Sequence, residues 1–283
     1  MKKLIIILYF LCQHFAFAGT TCDDIQDRTN QLMKSHSLND AKDGLVIAKS
    51  VEASKCDPDK LGLFKETIAD IFFNNKTNYS DATDIYIEYA KNKSNEVLYG
   101  HANAKLAYMF LSGTYLNVDE PKAVQLYRDA AEAGDPDGLY FIGSAAYNGM
   151  FGVTKKPEAG FNILKLVADS GEKTLAMKAV GEAYLSGIGT IKNTTNSLKY
   201  FNMAAMRGDI ESQKKLGILY STIDDDNRNQ PLGYAWLLIY QSHGYDEDMY
   251  KFTNEQEKLI TKQDKSKGMK LTNEISKKIH SIQ

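Results

Sequence analysis

Small residues return every 36 to 38 positions in this chain, and no other feature limits its possible folds so tightly. Gly134, Gly171, Gly208 and Gly244 each close a short run such as Ala130-Ala131-Glu132-Ala133-Gly134, at steps of 37, 37 and 36 residues. A second series sets an apolar residue before a tiny one: Leu106-Ala107, Ile142-Gly143, Val180-Gly181 and Leu216-Gly217. Gly113, Gly149 and Gly187 form a third, each seven residues after the second. A fourth runs through Ala123, Ala159, Ser197 and Gly233. Four series that keep phase at a period near 37 predict an all-α, right-handed solenoid of stacked helical hairpins.

The chemistry of one hairpin explains the pattern. Its first helix, A, places Leu106, Ala107 and Phe110 on one face, and likewise Val180, Gly181 and Tyr184. The tiny residue admits the second helix, B, at close range, and the bulky one fills the space beside it. A glycine seven positions on suits the left-handed residue that stops helix A. Helix B begins near Pro121, Pro157 or Pro231, where a missing N–H costs nothing. One hairpin cannot bury its own apolar face, so stability is shared between stacked neighbours.

This pattern resembles the Sel1-like repeat, a relative of the tetratricopeptide repeat. The units Ala104–Gly134 and Met177–Gly208 fit the family pattern closely. Leu139–Gly171 departs from it with Ala146 at a tyrosine position, and Gln213–Gly244 with Ile223 at the middle glycine. The resemblance covers about residues 101–245 and continues weakly to the C-terminus. It implies scaffold or adaptor roles in general.

The expected organisation follows. Residues 1–18 read as a secretory signal peptide: Lys2 and Lys3, the apolar run Leu4–Leu11, then Ala16-Phe17-Ala18 as cleavage site. Residues 19–100 read as a helical cap with a degenerate repeat, because Ile68, Ala69 and Phe72 continue the second series backwards by 38. Residues 101–245 hold the repeats, and 246–283 a second helical cap. Cleavage would remove Cys12 and leave Cys22 and Cys56, which in an oxidising compartment are expected to pair. It would also take the net charge from −2 to −4, with no basic stripe for nucleic acid. No membrane span is expected after signal cleavage.

Signatures of catalysis are missing from the sequence. His36, His101, His243 and His280 form no zinc-hydrolase pattern, and there is no phosphate-binding loop, dinucleotide fingerprint or nucleophile elbow. Asp224-Asp225-Asp226-Asn227 lacks the spaced ligands of a calcium loop. The expectation is therefore no enzyme, no cofactor and no metal. The face of helix A opposite its buried one falls at −1, +2 and +6 from the second series. There Tyr108 and Phe141 are aromatic where a solvated face would carry charge, and Asn148 and Glu182 lie on the same face. These four are the expected protein-binding residues. The functional expectation is a periplasmic or secreted scaffold that binds another protein, either an endogenous envelope protein or, as an immunity protein, a secreted phospholipase or cell-wall hydrolase. Penicillin binding or hydrolysis, linked to cysteine-rich members of the family, is disfavoured because residues 57–283 contain no cysteine.

Overall fold

The structure, a computed structural model, describes residues 22–51, 56–244 and 246–282. The signal-peptide reading of residues 1–18 lies outside the described residues. Those that are described form fourteen α-helices and no strand, in the hairpin order that the period predicts. They divide into two compact units, Met1–Gly138 and Leu139–Gln283.

The first unit contains α1 (Cys22–Ser35), α2 (Leu38–Ser50), α3 (Pro58–Asn74), α4 (Tyr79–Tyr89), α5 (Glu96–Ser112), α6 (Glu120–Glu132) and the first turn of α7 (Pro136–Asn148). Helix α3 is its organiser: α1, α2, α4 and α5 all pack on it. Its sequence explains why. Leu61, Phe64, Ile68, Ala69, Ile71 and Phe72 are buried, so apolar residues cover more than one stripe of the helix. Helices α3 and α4 pack as a hairpin, and Ile68, Ala69 and Phe72, which continue the second series backwards, are all fully buried. Hairpin α5–α6 follows, with Leu106, Ala107 and Met109 in its core.

The second unit contains the rest of α7, then α8 (Pro157–Ser170), α9 (Thr174–Ser186), α10 (Thr194–Met206), α11 (Ile210–Thr222), α12 (Gln230–Gln241), α13 (Glu247–Leu259) and α14 (Lys262–Ile282). One core gathers Phe161, Leu164, Met177 and Val180, and another gathers Phe201, Leu216, Trp236 and Ile279. The last of these residues comes from α14, which packs on α12.

Helix ends follow their sequence signals. The side chains of Asn95, Asp119, Asn193, Asp209, Asn229 and Asp246 each accept a hydrogen bond from a first-turn N–H. Each such cap contributes about 1 kcal/mol. Gly113, Gly149 and Gly187 adopt the left-handed conformation (φ 72°, 76° and 76°) that the seven-residue offset anticipated.

The tiny residue of helix A does face helix B. A Cβ added at Gly181 would lie 2.9 Å from the Phe201 ring, and one at Gly217 would lie 2.7 Å from Leu237. The fourth series needs one correction. In the second hairpin the buried position is Gly160, and Ala159 is exposed. The corrected series, Ala123, Gly160, Ser197 and Gly233, steps by 37, 37 and 36, matching the closing glycines. The reason is steric: at this position helix B touches the backbone of helix A, and a Cβ on Gly160 would meet Tyr147 N at 2.4 Å.

Candidate functional site

Half-buried charge and exposed aromatic rings come together on one face of the first unit. Glu66 and Asp70 are one turn apart on α3, and His101 and Lys105 are one turn apart on α5. Because α3 and α5 are the A helices of successive hairpins, their matching faces lie against each other. His101 is the hub. Its Nε2 donates to Asp70, 3.0 Å from Oδ1 and 3.1 Å from Oδ2. The same nitrogen is 3.8 Å from Glu66 Oε1, and Nδ1 is 4.0 Å from Asp135 Oδ2 in the turn before α7. Tyr86 of α4 donates its hydroxyl to Asp70 Oδ1 at 2.6 Å, and Lys105 Nζ stands 3.5 Å from the same oxygen.

These neighbours set the protonation of the group. Burial pushes the Glu66 carboxyl up to about 7, against the opposing pull of the His101 charge. Burial also pushes Asp70 up, but the His101 hydrogen bond, the His101 and Lys105 charges and the Tyr86 hydroxyl outweigh it, and Asp70 stays below the usual carboxylate range. For His101, burial favours the neutral ring. The hydrogen bond to Asp70 and the charges of Asp70 and Glu66 prevail, raising its pKa above the ordinary histidine value. Asp135 is raised by burial. Glu66 and Asp70 also line a cleft of about 210 Å³ between α1 and α3, with Leu32, Met33 and His36 on its α1 wall.

Beside this cluster runs an aromatic strip. Lys105 Nζ lies 5.2 Å from the centroid of Phe73, a cation–π contact. Phe73 meets Tyr108 edge-on at 5.6 Å and Tyr79 at 6.0 Å, and Tyr79 stacks on Tyr115 at 6.1 Å. Tyr108 is 48% exposed and Tyr115 55%. Tyr115 holds φ at 69°, a conformation that an aromatic residue rarely adopts.

Of the four expected binding residues, only Tyr108 belongs to this face. The others stand in the second unit. Phe141 is half-buried against Phe151, with ring centroids 5.0 Å apart. Asn148 is exposed and donates to the Ser144 carbonyl at 3.0 Å. Glu182 is exposed, with Lys215 Nζ 3.5 Å from its carboxylate. Of the cysteines, Cys56 is buried, while the side chain of Cys22 lies outside the described residues.

The sequence reading passed over Glu66, Asp70, Tyr86 and Asp135 and treated His101 only as an isolated histidine. A signal was present. Applying the offsets −1, +2 and +6 to the degenerate repeat gives Thr67, Asp70 and Asn74, and all three line the cleft. Among the described residues, no group of three or more His, Cys, Asp or Glu side chains is arranged to hold a metal ion, and no helix is long and apolar enough to cross a membrane.

Comparison with known proteins agrees with this architecture. The Sel1 repeat family model matches residues 100–135, 136–172 and 174–209. No curated protein matches the chain. Among solved structures, a Sel1 repeat protein from Oxalobacter formigenes aligns with TM-score 0.55 and 19% identity, over 66% of this chain and 74% of that one. A protective antigen present in uropathogenic Escherichia coli strains, displaying an SLR fold, aligns with TM-score 0.56 and 17% identity over 92% of this chain. This chain spans 62% of the antigen's length. The chain thus carries three consecutive Sel1 repeats over residues 100–209, and its helical hairpins share the fold of these solved structures.

Proposed function

We infer from its three Sel1 repeats, a module that in general mediates protein–protein interaction, that this chain acts by binding another protein. We propose that this protein is an exported, non-catalytic scaffold of the bacterial envelope, and that it binds its partner through the α3–α5 face of the first unit. The observation that carries the reading is Tyr108, nearly half exposed on helix A and held edge-on by Phe73. A ring held rigid by its neighbours loses little freedom when a partner covers it, so such residues dominate binding energy at interfaces. Phe141, Asn148 and Glu182 form a second candidate patch, on the second unit. The N-terminal reading of residues 1–18 supports export, and pairing of Cys22 with Cys56 belongs to the same proposal.

The test is capture of the partner from an envelope fraction, followed by Kd measurements with Tyr108→Ala and Phe141→Ala. Loss of a buried aromatic anchor costs about 2 kcal/mol or more, roughly a thirtyfold weaker Kd. Weakening by Tyr108→Ala alone assigns the interface to the first unit. A confirmed complex that neither substitution weakens removes the A-helix face from consideration. A tight one-to-one complex with a secreted hydrolase would give the scaffold a neutralising role.

A further inference from the structure

The charged cluster does more than the binding reading asks of it. Surface charges beside an aromatic anchor need no burial, yet here Glu66, Asp70, His101 and Asp135 are half-buried where α3, α5 and the turn before α7 meet. Among the described residues no hydrogen-bond donor reaches the Glu66 carboxyl, and its nearest cationic atom is His101 Nε2 at 3.8 Å. We propose that this cluster is a proton-operated latch, which clamps α3, α5 and the turn before α7 together when Glu66 and His101 carry their protons and lets α3 and α5 part when they lose them.

Charge balance around His101 governs the contact. On α3 the titratable groups are Glu66 and Asp70, and on α5 they are His101 and Lys105. Asp135 faces the ring from the turn, Tyr86 reaches Asp70 from α4, and His36 lines the cleft from the turn after α1. Tyr89 of α4 also feels the Glu66 charge, while Glu88 beside it is paired with Lys65 of α3 at 2.9 Å. With Glu66 neutral and His101 cationic, the two carboxylates Asp70 and Asp135 are balanced by His101 and Lys105. After both protons leave, three carboxylates face Lys105 alone across a partly dry interface, and the net charge is two negative. Like charges at this range in a poorly solvated setting repel strongly. The imidazole reaches both α3 and the turn, so its deprotonation weakens both contacts at once. Burial pushes Glu66 up to about 7, and His101 is raised above the ordinary histidine value, so a rise in pH removes both of the protons on which the charge balance depends.

Hydrogen exchange of the full-length mature protein tests the latch, comparing pH 5.5 with pH 8.5 after correction for intrinsic rates. Amides of α3 and α5 should exchange about tenfold faster at the higher pH, while α9 and α10 serve as the internal reference. Glu66→Gln, which keeps a neutral side chain of the same shape, should restore most of the protection at pH 8.5. Equal protection of α3 and α5 at both pH values overturns the latch, as does a Glu66→Gln variant that keeps the full pH response. Should that variant fail to fold, the His101 ring resonances of the wild-type protein decide: a titration midpoint at or below 6.5 contradicts the proposal, and a higher one supports it. None of these readouts requires a partner, so the latch and the docking surface fail separately.

Discussion

Gly160→Ala is the sharpest perturbation of the hairpin packing. The added Cβ would lie 2.4 Å from Tyr147 N and 2.7 Å from both Gly143 O and Tyr147 Cα. Ordinary contacts of a Cβ begin near 3.4 Å, so α7 and α8 must separate by close to an ångström at their nearest point. The opposing atoms are helix backbone and cannot swing aside as a side chain would. Overpacking of this kind costs about 3 kcal/mol, the upper part of its usual range. Replacing glycine by alanine inside a helix returns about 1 kcal/mol through propensity. The net expectation is a loss of about 2 kcal/mol, or a fall in Tm of roughly 4–8 °C for a unit of this size. Ser197 provides the control, since it holds the same place in the next hairpin. Its Oγ donates to the Gly181 carbonyl at 2.8 Å, so a Cβ is already accommodated there. Ser197→Ala should therefore cost only about 1 kcal/mol, the worth of one buried hydrogen bond. Thermal and urea unfolding followed by circular dichroism measures both. A Gly160→Ala protein as stable as wild type, or more stable, would refute the backbone-contact argument, because propensity alone would then decide.

Three further outcomes are expected. A Glu66 carboxyl at about 7 in the fold, against 4.5 in the open chain, makes the native state bind its proton more tightly. Stability therefore falls as pH rises from 4.5 to 7, by up to about 3 kcal/mol, and Glu66→Gln should recover most of that loss in denaturant melts at pH 8. His101, also raised, adds a loss in the same direction above 6.5, whereas Asp70, lowered, withdraws stability only below the usual carboxylate range. Reduction of the mature protein should add two alkylatable thiols and lower stability by roughly 3–4 kcal/mol if Cys22 and Cys56 are joined, the entropy of closing a loop of that length; intact mass with and without reductant reads it, and two thiols that alkylate before reduction would dismiss the pairing. Purified protein should leave nitrocefin unhydrolysed, and turnover that follows the protein through chromatography would reopen the catalytic reading.

The repeat was legible because its requirements are local and recur. A left-handed helix stop demands glycine, and a close helix–helix approach demands a tiny residue, so Gly113, Gly149, Gly181 and Gly217 report their own roles. The one slip in register shows the limit of that logic. Ala159 and Gly160 are both small, and composition cannot say which of two adjacent small residues points inward. Only the contact with Tyr147 decides it, and agreement with the 37-residue steps of the closing glycines was the clue available in the sequence. Tyr108 was legible as an aromatic on a polar face, but its neighbours Phe73, Tyr79 and Tyr115 come from three other segments of the chain. His101 was harder still, since its partners Asp70 and Asp135 lie 31 residues before it and 34 after it.

Those separations are close to one repeat length, and that explains how the cluster could assemble at all. In a stack of hairpins, residues about one period apart on matching helices become neighbours across the interface. The second unit uses the same rule for cheaper contacts: Tyr200 reaches Asp169 across 31 residues at 2.6 Å, and Lys214 reaches Asp246 across 32 at 3.1 Å. There the carboxylates lie near the surface and each is satisfied by a tyrosine and a lysine. In the first unit helix α3 places Glu66 one turn before Asp70, so two carboxyls of one helix face the same ring, His101. A histidine instead of a lysine at the facing position lets protons set the balance. The same period that makes the scaffold therefore supplies the geometry for its regulation, and only the identity of two or three side chains separates a static tie from a responsive one.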